Sequence, residues 1–322
     1  MFEFSTSVWI IIAALILDYL LGEVRCYHPL VGFRRIASAI EQWLNNMQLQ
    51  QTNSDHFVAA SPLRQRFLGV VGVSLLLLPA FFISYAAQYV LPQSGFVSVI
   101  IGATVVYFSL GLRSLVDNAK AVSEPLLHHN IKQARFALST IVSRDVDACN
   151  EREIASGTIE SVLKNGNDAV YGCLFWFLVF GLPGVVLYRL INTLEAMWGY
   201  KNDRFVYFGG CATRLNDALN YIPALLCGLG YALCGQARQG LRCWRQQAAR
   251  YTRANGCVVI AAGAGAIGVV VGGGGVYFGD RLNCIELGEG RPVLAADIDA
   301  STDLLIRTIA SSVLFLILLA AF

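Results

Sequence analysis

The sequence predicts an all-α, polytopic integral membrane protein, and three observations carry that prediction. Of its 322 residues, 56% are hydrophobic and only 14% are charged, too oily a balance for a domain whose surface must be wetted. The mean hydropathy is +0.55, and the apolar residues gather into runs of about 20, enough to cross a hydrocarbon core roughly 30 Å thick. The longest polar stretch repeats its apolar residues at helical spacing. Five to seven transmembrane or re-entrant helices are expected, with amphipathic helical cytoplasmic loops, and residues 1–322 are expected to form one membrane domain.

The first run, 7–21, lacks the charged start and small-residue cleavage site of a signal peptide and runs into Asp18, so a retained helix is expected. Runs 67–90 and 96–112 follow as clear spans. Segment 114–168 is expected to be a surface-lying helical layer, with Leu115, Ala119 and Val122, then Ile131, Ala134, Phe136 and Ala137, and Pro125 between them. Runs 169–191 and 219–235 are weaker. Gly181-Leu182-Pro183-Gly184 interrupts the first, and Pro223 with three later glycines loosens the second. Runs 257–278 and 304–322 complete the set.

Lys and Arg are retained on the cytoplasmic side, so loop charge sets orientation. Segment 236–256 carries Arg238, Arg242, Arg245, Arg250 and Arg253 without an acid. Segment 279–303 sets Arg281 and Arg291 against Asp280, Glu286, Glu289, Asp297, Asp299 and Asp303. The first is expected inside and the second outside. Alternation through all seven runs puts the N-terminus outside, 23–66 and 114–168 inside, and 190–218 outside. If 169–191 and 219–235 are re-entrant or interfacial instead, every long polar loop except 279–303 is cytoplasmic, which is the preferred reading.

Several function classes drop out. A net charge of +2 gives counterion-release binding to nucleic acid nothing to work with. The nine cysteines form no C-x-x-C pair and read as small buried apolar residues. The adjacent His128 and His129 read as solvated loop residues, and no H-E-x-x-H, Walker A, protein-kinase or G-x-S-x-G pattern is present. Gly263-x-Gly265-x-x-Gly268 matches a dinucleotide fingerprint as a string but lacks its strand-before, helix-after context. Gly268 and Gly272, spaced as G-x-x-x-G, read as close helix packing.

Two polar features stand out. Asp18 ends an apolar helix, where a carboxylate faces either a polar cavity or the headgroups. A dense cluster runs from Ser143-Arg144-Asp145 through Glu160-Ser161, Asn165 and Asp168 to Asn192-Thr193, Tyr200-Lys201-Asn202 and Arg214-Leu215-Asn216-Asp217 with Asn220. Such residues could hold Mg²⁺ and clamp phosphates, since hard oxygen ligands suit Mg²⁺ and guanidinium suits phosphate. A structural network of caps and ion pairs would use the same residues.

The order of these motifs resembles the CobD/CbiB family of cobalamin-biosynthesis enzymes. Leu17-Asp18-Tyr19-Leu20-Leu21-Gly22-Glu23, then His28-Pro29 and Arg35, resemble its L-D-x-x-x-G-D and H-P-x-x-x-x-x-R. Ile141-Val142-Ser143-Arg144-Asp145 looks like I-V-G-R-D, and Glu160-Ser161, Asn165 and Asp168 follow E-S-x-x-E-N-x-x-D-G. Tyr188-Arg189-Leu190-Ile191-Asn192-Thr193-Leu194, Gly199-Tyr200-Lys201-Asn202 and Phe208-Gly209 through Arg214-Leu215, Asp217, Asn220 and Pro223-Ala224 are similar to later blocks. Asn255 and Tyr277-Phe278-Gly279-Asp280 match the last two. The resemblance is collinear from residue 17 to about 280 and covers most of the chain.

It implies an integral enzyme of the bacterial inner membrane that joins adenosylcobyric acid to aminopropanol phosphate, giving adenosylcobinamide phosphate, with ATP and Mg²⁺. It also implies association with the cobamide synthase that acts later. By the resemblance Arg144, Asp145, Glu160, Asn165, Asp168, Arg214 and Asp217 are catalytic, with Glu160, Asp168 and Asp217 as metal ligands. Asp18, His28, Asn192, Thr193, Lys201, Asn220 and Asn255 are substrate-binding. The sequence departs from the family at Lys164 (Glu in the motif), Ala169, Glu195-Ala196, Asn216, Val258-Val259-Ile260 and the run from Val270 to Gly275. A non-catalytic or regulatory protein on the same scaffold, similar to the AmpE-like relatives, is the alternative; a transporter is disfavoured by the long polar loops and the absence of an inverted repeat.

Overall fold

A computed structural model describes residues 2–24, 28–49, 61–142, 145–248, 254–273, 275–277, 280–282 and 285–321. The helices are α1 (Phe4–Leu21), α2 (Pro29–Leu49), α3 (Pro62–Val90), α4 (Phe96–Tyr107), α5 (Leu112–Leu127), α6 (Ile131–Ser139), α7 (Glu151–Gly166), α8 (Gly172–Trp198), α9 (Gly210–Cys234), α10 (Ala237–Gln247), α11 (Ala254–Ile267) and α12 (Ala296–Ala320). A π-helical turn, Asn167–Tyr171, joins α7 to α8. Short strands β1 (Val269–Val271), β2 (Gly275–Tyr277), β3 (Asp280–Leu282), β4 (Leu287–Gly288) and β5 (Arg291–Pro292) lie before α12.

Among the described residues, six segments are long and apolar enough to cross a membrane: Phe4–Leu21, Pro62–Val90, Phe96–Leu127, Glu151–Trp198, Gly210–Cys234 and Ala296–Ala320. Their large apolar side chains, among them Phe82, Ile83, Leu314 and Phe315, face outward. Exposed apolar surface of that extent is what hydrocarbon surroundings favour. The chain is a multi-pass membrane protein, as expected. It divides into two compact units, Met1–Leu110 with Cys173–Asn220, and Gly111–Gly172 with Tyr221–Phe322.

In the first unit α1 packs on α4 through Gly102, where an added Cβ would meet Ile10 at 2.6 Å. A core of Ala37, Leu44, Val73, Leu76, Leu194, Trp198, Phe208 and Ala212 joins α2, α3, the end of α8 and the start of α9. The segment 172–198 is broken at Gly181, whose φ of 67° and ψ of −141° lie outside the helical region. The elbow is sharp: a Cβ on Gly184 would collide with the Trp176 carbonyl, eight residues earlier. The first limb begins with Cys173 Sγ donating to Ser109 O, near the end of α4, and reaches the ring of Phe2, at the far end of α1, through Phe177. At the elbow Leu182 N–H donates to Gln88 Oε1, 2.6 Å away near the end of α3. The second limb returns to α2, where Arg204 pairs with Glu41. The segment thus folds back at Gly181 rather than running on as one straight helix.

Pro223, by contrast, leaves α9 continuous from Gly210 to Cys234. Proline removes the donor that would have bonded the carbonyl four residues earlier. That carbonyl, Leu219 O, accepts from Trp176 Nε1–H at 3.0 Å.

In the second unit α7 is the central element rather than part of a surface layer. Ile154, Ala155, Thr158, Ile159, Val162 and Leu163 are all buried, because small or apolar residues occupy most of the helix surface between Ile154 and Leu163. At its end Asn167 N–H bonds Lys164 O, and Leu163 O accepts from the Tyr231 hydroxyl at 3.1 Å. Ser123 Oγ donates to Asp299 Oδ1 at 3.1 Å, tying α5 to α12.

The expected span 257–278 is not a single helix. Helix α11 stops at Ile267, and Gly268, Gly272 and Gly273 take φ of 73°, 89° and 85°, a left-handed conformation that favours glycine. The chain then forms β1, which pairs antiparallel with β4 and parallel with β5. Gly268 and Gly272 are therefore turn glycines and not a helix-packing pair. The close helix packing belongs to Gly263 and Gly265, set against Leu163 and Cys243.

The expected sidedness changes with it. Gln239 Nε2 donates to Glu289 O, Arg242 pairs with Glu289 at 3.3 Å, and Gln247 exchanges two bonds with the Gly288 backbone. Segments in direct contact cannot lie on opposite sides of a bilayer roughly 30 Å thick. The basic 236–248 stretch and the acidic 285–292 stretch share one face. In a cysteine-free background, single cysteines at Gln246 and Glu289 are expected to react with an impermeant maleimide from the same side of sealed vesicles.

Candidate substrate site

The expected site residues fall into two sets, one in each unit. In the second unit Glu160, Lys164 and Asp168 follow one another along α7 and into the π turn, a helical irregularity often found at functional positions. Ser156 Oγ donates to Glu160 Oε1 at 2.9 Å, and the Gly272 amide donates to Ser156 Oγ at 2.7 Å. Lys164 Nζ donates to Asp168 Oδ2 at 2.9 Å, and Asn167 Nδ2 donates to Asp168 Oδ1 at 3.0 Å. Asn165 bonds Ser161 Oγ at 3.0 Å. Asn255 opens α11, and its neighbour Gly256 lies against the Lys164 stem. Asp145 is exposed and accepts from Asp147 N–H. Arg144 lies outside the described residues.

The departure at Lys164 thus has a structural answer: its ammonium neutralises a nearly buried carboxylate. Val258 and Val259 are buried in α11, and Val270 lies in the central strand of the small sheet. The replacements at 258 and 259 fill packing positions.

In the first unit an amide network bridges α8 and α9. Asn216 Oδ1 accepts from Asn220 Nδ2 at 3.1 Å and from Asn192 Nδ2 at 3.4 Å, and Tyr188 OH donates to Asn220 Oδ1 at 2.8 Å. Thr193 is buried and bonds Arg189 O. Arg214 and Asp217 lie on the exposed face of α9, and Lys201 is exposed in the segment before it.

That segment is held by an ion pair which the sequence alone did not reveal. Arg204 grips Glu41 with both arms, Nε to Oε1 at 2.9 Å and Nη2 to Oε2 at 2.5 Å, while Asn45 also donates to Oε1. The Glu41 side chain is only 3% exposed, and its carboxylate raises the guanidinium pKa first by hydrogen bonding. Asp18 is buried at the end of α1, and Tyr107 OH donates to Gly22 O just beyond it. His28 is buried too; its Nδ1 accepts from Leu30 N–H at 3.2 Å, starting α2, and its ring meets Phe108 edge-on. Burial lowers the His28 pKa, Glu23 opposes that, and Arg189 and Arg34 reinforce it.

Among the described residues, no group of three or more His, Cys, Asp or Glu side chains could hold a metal ion. Glu160 and Asp168 belong to the second unit and Asp217 to the first.

Two outcomes follow from this geometry. Arg204→Met leaves a buried carboxylate unpaired and should cost about 3 kcal/mol, read as a lower thermal midpoint in detergent; adding Glu41→Gln should recover much of the loss. His28 has a folded-state pKa below its ordinary 6.5, so the unfolded chain binds the proton more readily. Its contribution to stability is complete above that value and is lost as pH falls toward the folded pKa. Thermal midpoints should therefore drop on acidification below about 6.5, with a shallower slope in His28→Gln.

Comparison with known proteins agrees with the motif order. The family described as CobD/Cbib protein matches residues 11–305. The chain is 45% identical to "Cobalamin biosynthesis protein CobD" of Stutzerimonas stutzeri, covering 91% of each chain. It is 43% identical to the protein of the same description from Chromobacterium violaceum, over 91% of this chain and 90% of the relative. It is 36% identical to "Probable cobalamin biosynthesis protein CobD" of Pyrococcus furiosus, over 72% of this chain and 74% of the relative. No solved structure matches. On a family match over nearly its whole length, the chain belongs to the CobD/CbiB family.

Proposed function

We propose that this membrane protein acts in cobalamin biosynthesis as an amide ligase, joining a propionate carboxyl of adenosylcobyric acid to the amine of aminopropanol phosphate. The observation that carries the reading is the family match over residues 11–305, with relatives described as cobalamin biosynthesis proteins. A carboxylate is a poor acyl donor. Transfer of the γ-phosphoryl group of ATP to it gives an acyl phosphate and ADP; the amine then displaces phosphate, forms the C–N bond and loses a proton. Catalysis of such transfers rests on positioning and charge neutralisation.

In this reading Mg²⁺ arrives with ATP as part of the substrate. Arg144, Lys201 and Arg214 supply cations for phosphate oxygens. Glu160, oriented by Ser156, and Asp168, fixed by Lys164 and Asn167, are acceptors suited to the amine proton. Asp145, Asn165, Asp217, Asn220 and Asn255 orient the reactants. The chain resides in a bacterial inner membrane with its substrate segments toward the cytoplasm, beside the cobamide synthase that acts later.

One observation favours a regulatory protein on the same scaffold: Lys164 already neutralises Asp168, a carboxylate the reaction would use. A single experiment separates the two. In a bacterium lacking its own CobD/CbiB protein, this chain is expected to restore cobalamin-dependent growth on cobyric acid, and Asp168→Asn is expected to abolish it. Failure of a well-expressed, inserted chain would favour the regulator.

A further inference from the structure

The first unit holds a cation that neither the fold nor the expected site employs. Arg189 lies on the returning limb of α8, one residue after Tyr188. Its Nη1 donates one long bond, 3.4 Å, to Asn192 Oδ1, and its Nε is buried without a hydrogen-bond partner among the described residues. No described carboxylate pairs with it. The contrast is with Arg204 and Arg291, each of which grips a buried carboxylate through two nitrogens. Arg189 presents the same planar fork with no acid in it. A guanidinium stays charged, so one that is half-buried, with its Nε shut away from solvent and no counter-ion, is unfavourable and, within an apolar segment, marks a functional position.

The surroundings select the sign of what would complete it. Arg189 and Arg34 both act on buried His28 as neighbouring positive charges, and Glu23, the opposing acid, is exposed. Leu30 N–H occupies His28 Nδ1, so the proton of the neutral ring sits on Nε2 and that edge is a donor. Asp18 already has interactions of its own. A guanidinium fork with a donor imidazole nearby matches paired oxygens of an oxyanion.

We infer that Arg189, supported by His28 and Asn192, binds the anionic oxygens of a phosphate or carboxylate ligand. Resting on the proposed reaction, the soluble source is the phosphate ester of aminopropanol phosphate; a phospholipid headgroup offers the same chemistry. The test is calorimetric titration of the full chain in phosphatidylcholine nanodiscs with aminopropanol phosphate, with aminopropanol lacking the phosphate as control. Native mass spectrometry in parallel reports any retained phospholipid.

Binding of the phosphate ester should weaken at least tenfold in Arg189→Met and less in Arg189→Lys, which keeps the charge, while both variants retain the unliganded thermal midpoint. Retained phospholipid lost only in Arg189→Met would uphold the oxyanion site and fix its source as a headgroup. Equal binding by all three proteins, or no ester binding and no Arg189-dependent lipid, would overturn the inference. Binding is read without turnover, so a chain that binds the ester through Arg189 yet forms no amide would refute the proposed reaction alone.

Discussion

In hydrocarbon no water is available to satisfy a backbone amide or carbonyl, and the irregular parts of this fold depend on how that demand is met. Three interruptions of helical bonding are each answered by a side chain from another segment. Gln88 of α3 accepts from the Leu182 amide at the Gly181 elbow. Trp176 donates to the Leu219 carbonyl that Pro223 cannot bond. Tyr231 donates to Leu163 O, where α7 passes into its π turn. Each partner converts what would be a breakage point into a fixed bend, and the bends bring polar residues of the expected site into otherwise apolar segments.

Charge is handled by the same logic. Glu41 and Asp297, both buried, are each held by a two-armed arginine, and Asp168 by Lys164 and Asn167. The cost of removing a carboxylate from water is offset only when its oxygens are bonded as well as neutralised. By that standard these three carboxylates are satisfied internally, whereas among the described residues Arg189 Nε is buried without a partner.

The apolar runs were legible because about 20 consecutive apolar residues carry their own explanation. The elbow was also legible, since Gly181 and Pro183 together signal a break. The run 257–278 misled because hydropathy does not distinguish a helix from a buried turn with short strands; the glycines at 268, 272 and 273, all at positive φ, carried the missing information. The loop-charge argument failed with it, since it presumed a crossing between two segments that touch. In the site, Glu160, Asn165 and Asp168 were readable from motif spacing. Glu41 and Arg204 were not, because 163 residues separate them in sequence and an ion pair has no local pattern.

The elbow at Gly181 also bears on how the chain is made. Its acceptor, Gln88, lies 94 residues earlier, and the Trp176 indole precedes the carbonyl it serves by 43. A membrane protein is inserted as it is synthesised, from the N-terminus onward, so in both cases the compensating group is already in place when the defective turn emerges. Those two segments do not wait in lipid for a partner still to be translated, whereas the Leu163 carbonyl waits for Tyr231, 68 residues later.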